Sequence, residues 1–178
     1  KNEKAIENPI SIQNNFEKDW ILFQDAVVNK TAFNWNAFVE IEGQLVGDIQ
    51  KGLLVLLGIE HEDGPDDAKY LIQKLTQIRI FSDADGKMNL SIQDIGGQFL
   101  VVSQFTLLAN THKGNRPSYI ESAAPDIAKK MYEDFTNSLA QFTQKNIQNG
   151  IFGADMQIEL LNDGPVTILL DSRNKSLT

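Results

Sequence analysis

Gly52-Leu53-Leu54-Val55-Leu56-Leu57-Gly58-Ile59 is apolar from end to end and only eight residues long. A helix with one solvated face would interrupt such a run every third or fourth residue, and a half-exposed strand would alternate. A short run with no polar position reads as a strand buried on both faces, and such a strand needs a layer on each side. Upstream, Phe38-Val39-Glu40-Ile41-Glu42 and Gln44-Leu45-Val46-Gly47-Asp48-Ile49 flank Gly43 and read as two half-exposed strands about a turn. Downstream, Asp63-Gly64-Pro65 opens a helix, with Pro where its missing N–H costs nothing, and Ala68, Leu71, Ile72, Leu75 and Ile78 form its inward face.

The turn Asp83-Ala84-Asp85-Gly86 precedes a third strand, Phe99-Leu100-Val101-Val102, which runs directly into Ser103. Asp83 and Asp85 stand as D-x-D, but the positions after them lack the other ligands of a calcium loop. A second helix is expected from near Pro125 to Asn149-Gly150, with Ile127, Met131, Phe135, Leu139 and Phe142 on its inner face. Ala154 to Leu161 and Val166 to Leu170 read as two strands separated by a break at Asn162-Asp163-Gly164-Pro165. The order of elements predicts a mixed α/β (α+β) domain whose strands outnumber its helices. Residues 1–36 hold both Trp, are rich in Asn and show no sustained period, so they read as an extension to a domain over 37–178.

Composition removes whole classes of chemistry. The 178 residues contain no Cys, so a thiol nucleophile, a thiolate metal site and a disulfide framework are all absent. A metal centre or a Ser-His-Asp triad would have to use His61 or His112, the two His of the chain. Neither a metal nor another cofactor is expected. The net charge of -8 argues against non-specific coating of nucleic acid, and no DNA partner is expected. No apolar stretch is long enough to span a bilayer and the first residues, Lys1-Asn2-Glu3-Lys4, do not form a secretory signal, so no membrane association and a cytoplasmic location are expected.

Two segments carry the candidate chemistry. Ser103-Gln104-Phe105-Thr106-Leu107 ends a buried strand in hydroxyl and amide groups. Such groups either tie down a strand end or build a site there, and Thr106 lacks an adjacent base to make it a nucleophile. Asn162-Asp163-Gly164-Pro165-Val166-Thr167 interrupts a strand with Gly-Pro, which fits either an edge turn or a backbone that presents its carbonyls in an unusual direction. A third stretch, His112-Lys113-Gly114-Asn115-Arg116-Pro117, places Lys113 and Arg116 in one polar loop, as a solvated loop or a phosphate contact would.

Seven ordered blocks then resemble one family. Gly52 to Gly58, Arg79-Ile80-Phe81, Gly86-Lys87-Met88-Asn89-Leu90-Ser91, Val102 to Leu107, Lys113 to Ser118, Phe152-Gly153-Ala154-Asp155-Met156 and Asn162 to Thr167 occur in the order and spacing of the D-aminoacyl-tRNA deacylases, the D-Tyr-tRNA deacylase family. The resemblance covers Ala37 to Ser172. It implies a homodimer of curved, mostly antiparallel sheets forming a barrel-like core with flanking helices, and two active sites at the subunit interface. The implied reaction is hydrolysis of the ester joining a D-amino acid, or glycine on a non-cognate tRNA, to the 3′ end of tRNA, assisted by the tRNA 2′-hydroxyl.

Carried over by motif, Ser103, Gln104, Phe105 and Thr106 are the implied catalytic segment. Gly164 and Pro165, entering from the partner subunit as a Gly-cisPro motif, are implied to bind substrate and reject L-residues, with Lys113 and Arg116 as tRNA contacts. The two-sided readings extend to function: an L-alanyl-tRNA editing relative with a trans Gly-Pro bond, and a non-catalytic tRNA-binding module, are the alternatives. The family's first strand carries an Ile-Gln-Arg-Val-like segment, whose nearest echo here is Leu22-Phe23-Gln24-Asp25, without the Arg. Residues 1–36 therefore hold either a divergent first strand or an appendage.

Overall fold

The computed structural model describes residues 21–26 and 37–174. In chain order the elements are β1 (Ile21–Ala26), β2 (Ala37–Ile41), β3 (Gln44–Ile49), β4 (Gly52–Leu57), α1 (Pro65–Gln77), β5 (Phe81–Ser82), β6 (Met88–Leu90), β7 (Gln98–Ser103), a 3-10 turn (Phe105–Leu108), α2 (Pro125–Thr143), β8 (Gln148–Asn149), β9 (Gln157–Glu159) and β10 (Asn162–Leu170). The main sheet has the order β10-β1-β4-β7-β8, and smaller sheets pair β3-β2-β9 and β5-β6. Neither helix is long and apolar enough to cross a membrane.

The continuous apolar run is explained by two cores. Leu53, Val55 and Leu57 of β4, with Phe99 and Val101 of β7, pack under α1 and α2. The alternate positions, Leu54, Leu100 and Val102, face the opposite way and pack against Ala37, Val39 and Ile49 of the β2-β3 hairpin. The period of two therefore sorts side chains between layers instead of between core and water. The hairpin itself turns at Glu42 and Gly43, both with positive φ (51° and 74°), the pattern whose twist matches paired strands. At the start of α1, the Gly64 amide donates to the Asp67 carboxylate at 2.9 Å, and Pro65 follows as the first helical residue.

Three expectations need correction. The core is layered and not barrel-like: among the described residues the sheets remain open, with β10 and β8 at opposite edges of the main sheet. The mostly antiparallel pairing is as expected, with β4-β7 and β7-β8 the parallel pairs. The helix after Pro125 ends at Thr143, where Gln144 turns left-handed (φ 54°), and Gln148–Asn149 instead pairs beside Leu100 and Val101. Its buried face is Ala128, Tyr132, Phe135, Thr136 and Leu139, which leaves Ile127 and Phe142 exposed. The rotation has a polar cause: the Tyr132 hydroxyl donates toward the Val101 carbonyl at 2.7 Å and lies 3.3 Å from that of Gly150, and burial pushes its pKa above the usual phenol range.

The last two strands also differ from expectation. β9 is confined to Gln157–Glu159, and β10 starts at Asn162 and runs through Gly164-Pro165. The break exists, but as a bulge within the strand. Gln24 pairs with Thr167 whereas Ala26 pairs with Asn162, so residues 163–166 stand opposite Asp25 alone. The Asn162 side chain closes this bulge, accepting the Val166 amide at 3.0 Å and donating to the Thr167 hydroxyl at 3.0 Å. β1, from within residues 1–36, lies between β4 and β10 along its whole length.

Candidate active site

Parallel pairing brings the carboxyl ends of β4 and β7 to one edge of the sheet, the usual place for a site in such an arrangement. Leu57 is the register partner of Ser103, and the Gln104 amide extends the ladder by donating to the Leu57 carbonyl at 2.8 Å. Beyond Gln104 the chain tightens into the 3-10 turn, which buried Leu108 anchors. The Leu107 amide returns to the Gln104 carbonyl at 3.2 Å. The Phe105 and Thr106 amides, the first two of the turn, take no backbone partner among the described residues.

The strand end opens into a cavity of about 640 Å³. Val102, Ser103, Gln104 and Phe105 form one wall, Tyr119 and the approach to α2 (Ser122 to Pro125) a second, and Phe152, Ala154 and Met156 a third. Phe105 and Tyr119 meet edge to face at 5.0 Å at its rim. Among the described residues, none of the lining side chains is an acid, a His, a Lys or an Arg. A reaction here must take its proton acceptor from the substrate or from water, because this wall offers hydroxyls, amides and backbone only.

The predicted residues do not all meet. Ser103, Gln104 and Phe105 line the cavity, while Thr106 lies exposed beside it with its hydroxyl accepting from the Gln104 side-chain amide. A carboxamide is no base, so this contact orients the hydroxyl without activating it. Gly164 and Pro165 are exposed in the β10 bulge, joined by a cis peptide bond, and contribute nothing to this lining. From the registers, the bulge sits level with Asp25, Leu53 and Phe99, four residues short of Ser103 and three strands away. That is about 14 Å across the sheet and about 13 Å along it.

Lys113 and Arg116 project from a closed loop. Asn110 and Ser118 exchange two backbone bonds of 2.8 Å, and the Asn110 side chain accepts the His112 amide at 3.0 Å. Both cations are exposed, and the loop leads straight to Tyr119 on the cavity rim. The walls at Tyr119 to Pro125 were not legible as site residues, since nothing in their pattern differs from a loop before a helix. Phe152 to Met156 stood out as a family block, but its place in the third wall depends on how the chain returns after β8.

Comparison with known proteins identifies the family. The family model described as D-Tyr-tRNA(Tyr) deacylase matches residues 34–171. A D-aminoacyl-tRNA deacylase of Thermosipho africanus is 57% identical over 138 residues, covering 78% of this chain and 92% of its own. One from Flavobacterium johnsoniae is 58% identical over 139 residues, covering 78% and 93%. Among solved structures, a c-Myc DNA unwinding element binding protein superposes with a TM-score of 0.76 at 33% identity, over 85% of this chain and 97% of that one. A probable eukaryotic D-amino acid tRNA deacylase has the same fold, with a TM-score of 0.70 at 14% identity over 86% and 98%. With the match running from before β2 to the end of β10 and the strand-end cavity inside it, the chain belongs to the D-Tyr-tRNA(Tyr) deacylase family.

Proposed function

We propose that this hydrolase of the D-aminoacyl-tRNA deacylase family acts in the cytoplasm as a homodimer, cleaving the ester of D-aminoacyl-tRNA and of glycine carried on a non-cognate tRNA. The observation that carries the reading is the uncharged cavity at the end of β7, framed by Ser103, Gln104 and Phe105. Water attacks the ester carbonyl carbon, the bond to the ribose oxygen breaks, and the products are the free amino acid and tRNA. The Phe105 and Thr106 amides receive the charge that develops on the carbonyl oxygen. The adjacent 2′-hydroxyl of the ribose assists the attack, which suits a wall without a base. Gly164 and Pro165 supply fixed backbone against the α-carbon, where the side chain of an L-residue would collide. About 14 Å across the sheet separates them from their own chain's cavity, so the second subunit supplies them.

Matched D-, L- and glycyl-tRNA substrates test this directly. Cleavage of the D and glycyl esters with the L esters spared is the expected result. Cleavage of L-alanyl-tRNA would instead make the chain an L-alanyl editing relative, and binding without turnover a tRNA-binding module.

Thr106→Ala tests the role of the hydroxyl. It keeps the backbone amide, so single-turnover cleavage should slow by about tenfold, the scale of one lost hydrogen bond. Complete loss with binding and fold intact would make Thr106 the nucleophile. For the loop, Lys113→Ala and Arg116→Ala should each weaken tRNA binding and reduce the slope of log affinity against log salt by about one. An unchanged or steeper slope in titrations from low to moderate salt would remove them from the phosphate contacts.

A further inference from the structure

We infer that Arg173 is a positioning residue for the substrate cavity, acting through a clamp of carboxylates that holds the wall facing β7. The inference rests on the cavity being the substrate site, as proposed above. Arg173 follows β10, and a buried carboxylate aims it: the Asp171 side chain, fully buried, accepts the amides of Arg173 at 2.8 Å and Asn174 at 2.7 Å. Its guanidinium then reaches back across the fold to the loop after β4. It lies 2.8 Å from Glu62, 3.1 Å from Asp63 and 3.7 Å from Glu60. Three carboxylates thus converge on one guanidinium, whose planar fork can serve several at once.

The loop so held adjoins the cavity wall. Asp63 also accepts the Glu60 amide at 2.8 Å, fixing the backbone between them. Glu60 bridges to Ser122, the His61 amide donates to the Glu121 carbonyl at 3.2 Å, and the Ala123 amide donates to the Ile59 carbonyl at 2.9 Å. Ile59, Ser122 and Ala123 all line the cavity. Glu60 is only 5% exposed, so removing the guanidinium would leave a buried carboxylate beside two more of the same sign. The loop would then open, and with it the strip that carries Ser122 and Ala123. Catalytic groups on β7 and the 3-10 turn lie on a different wall and would stay in place.

The consequence is a defect in binding and not in chemistry. Arg173→Gln should raise KM for D-aminoacyl-tRNA by about tenfold with kcat within about threefold of the parent, because the reacting wall is intact. Arg173→Lys, which keeps the charge but not the fork, should fall between, and Glu60→Gln in the Arg173→Gln background should recover much of the loss. Hydrogen exchange gives a readout independent of turnover: the His61 and Ala123 amides should exchange faster in Arg173→Gln while the β4-β7 ladder amides keep the parent's rates. If Arg173→Gln does not fold, the Arg173→Lys comparison decides, since an unchanged KM and unchanged exchange at His61 and Ala123 overturn the clamp. A parent that cleaves no D-aminoacyl-tRNA would overturn the functional reading alone, and the exchange experiment would still decide whether Arg173 holds the wall.

Discussion

Gly52→Ala is expected to destabilise the fold by about 3 kcal/mol or more and to lower Tm by roughly 10 °C. A Cβ at this position would stand 1.9 Å from the Gln98 carbonyl oxygen, 2.7 Å from its carbon and 2.8 Å from its nitrogen. All three are backbone atoms of the neighbouring parallel strand, so no side-chain rotation relieves the contact. Neither strand can move aside. β4 lies between β1 and β7, with one core above and another below, and Gln98 is tied through its amide to the Lys51 carbonyl at 3.0 Å and through its side chain to the Gln50 amide at 2.9 Å. Gly64→Ala is the control, because its Cβ would meet nothing nearer than 3.9 Å and should cost under about 1 kcal/mol. Thermal and denaturant unfolding of the two variants measures the difference, and equal stability would mean that the β4-β7 register is not as described.

Two inactive variants should restore activity when mixed. Gly164→Ala strains a residue at φ 131° and pushes a Cβ to within 2.8 Å of Val166 Cγ2, so the bulge must shift. The site is exposed and the fold should survive, but a displacement near 1 Å at a substrate-facing backbone costs on the order of 100-fold in rate. Phe105→Pro removes an amide at the first position of the 3-10 turn, where Pro is tolerated, and should cost on the order of 100- to 1000-fold. If each site combines one chain's β7 end with the other's bulge, a mixed dimer has one site built from two unaltered halves and one from two altered halves. Equal mixing with free exchange gives about a quarter of the parental activity. Recovery near zero in mixtures shown to exchange subunits would place both segments in the service of one chain, against the separation of about 14 Å across the sheet.

Local pattern carried a large part of the fold. The eight-residue apolar run was readable as a strand buried on both faces because each of its positions must meet apolar atoms, whichever layer supplies them. The turn at Gly43 and the helix start at Gly64-Pro65 were readable because backbone angles there are set by the residues themselves. The inner face of α2 was not. Ile127 and Phe142 fit the helical spacing as well as Ala128 and Tyr132 do, and the choice was made by a hydroxyl that donates to the Val101 carbonyl on a strand remote in sequence.

The candidate site divides in the same way. Ser103 to Thr106 and Gly164-Pro165 stood out because polar groups at a buried strand end and Gly-Pro inside a strand are costly where they occur, and cost is a property of residue type and immediate neighbours. The walls around Tyr119 to Ala123 and Phe152 to Met156, the carboxylate clamp on Arg173 and the rotation of α2 depend on which distant segments are laid side by side. Sequence by itself determined the doubly buried central strand, the hairpin turn, the two helix starts and the two segments that are candidates for the chemistry. Only the tertiary structure decided that those two segments sit at different places on one sheet. Strand register and sheet order are long-range quantities, set by packing between elements and absent from the periodicity of any single one.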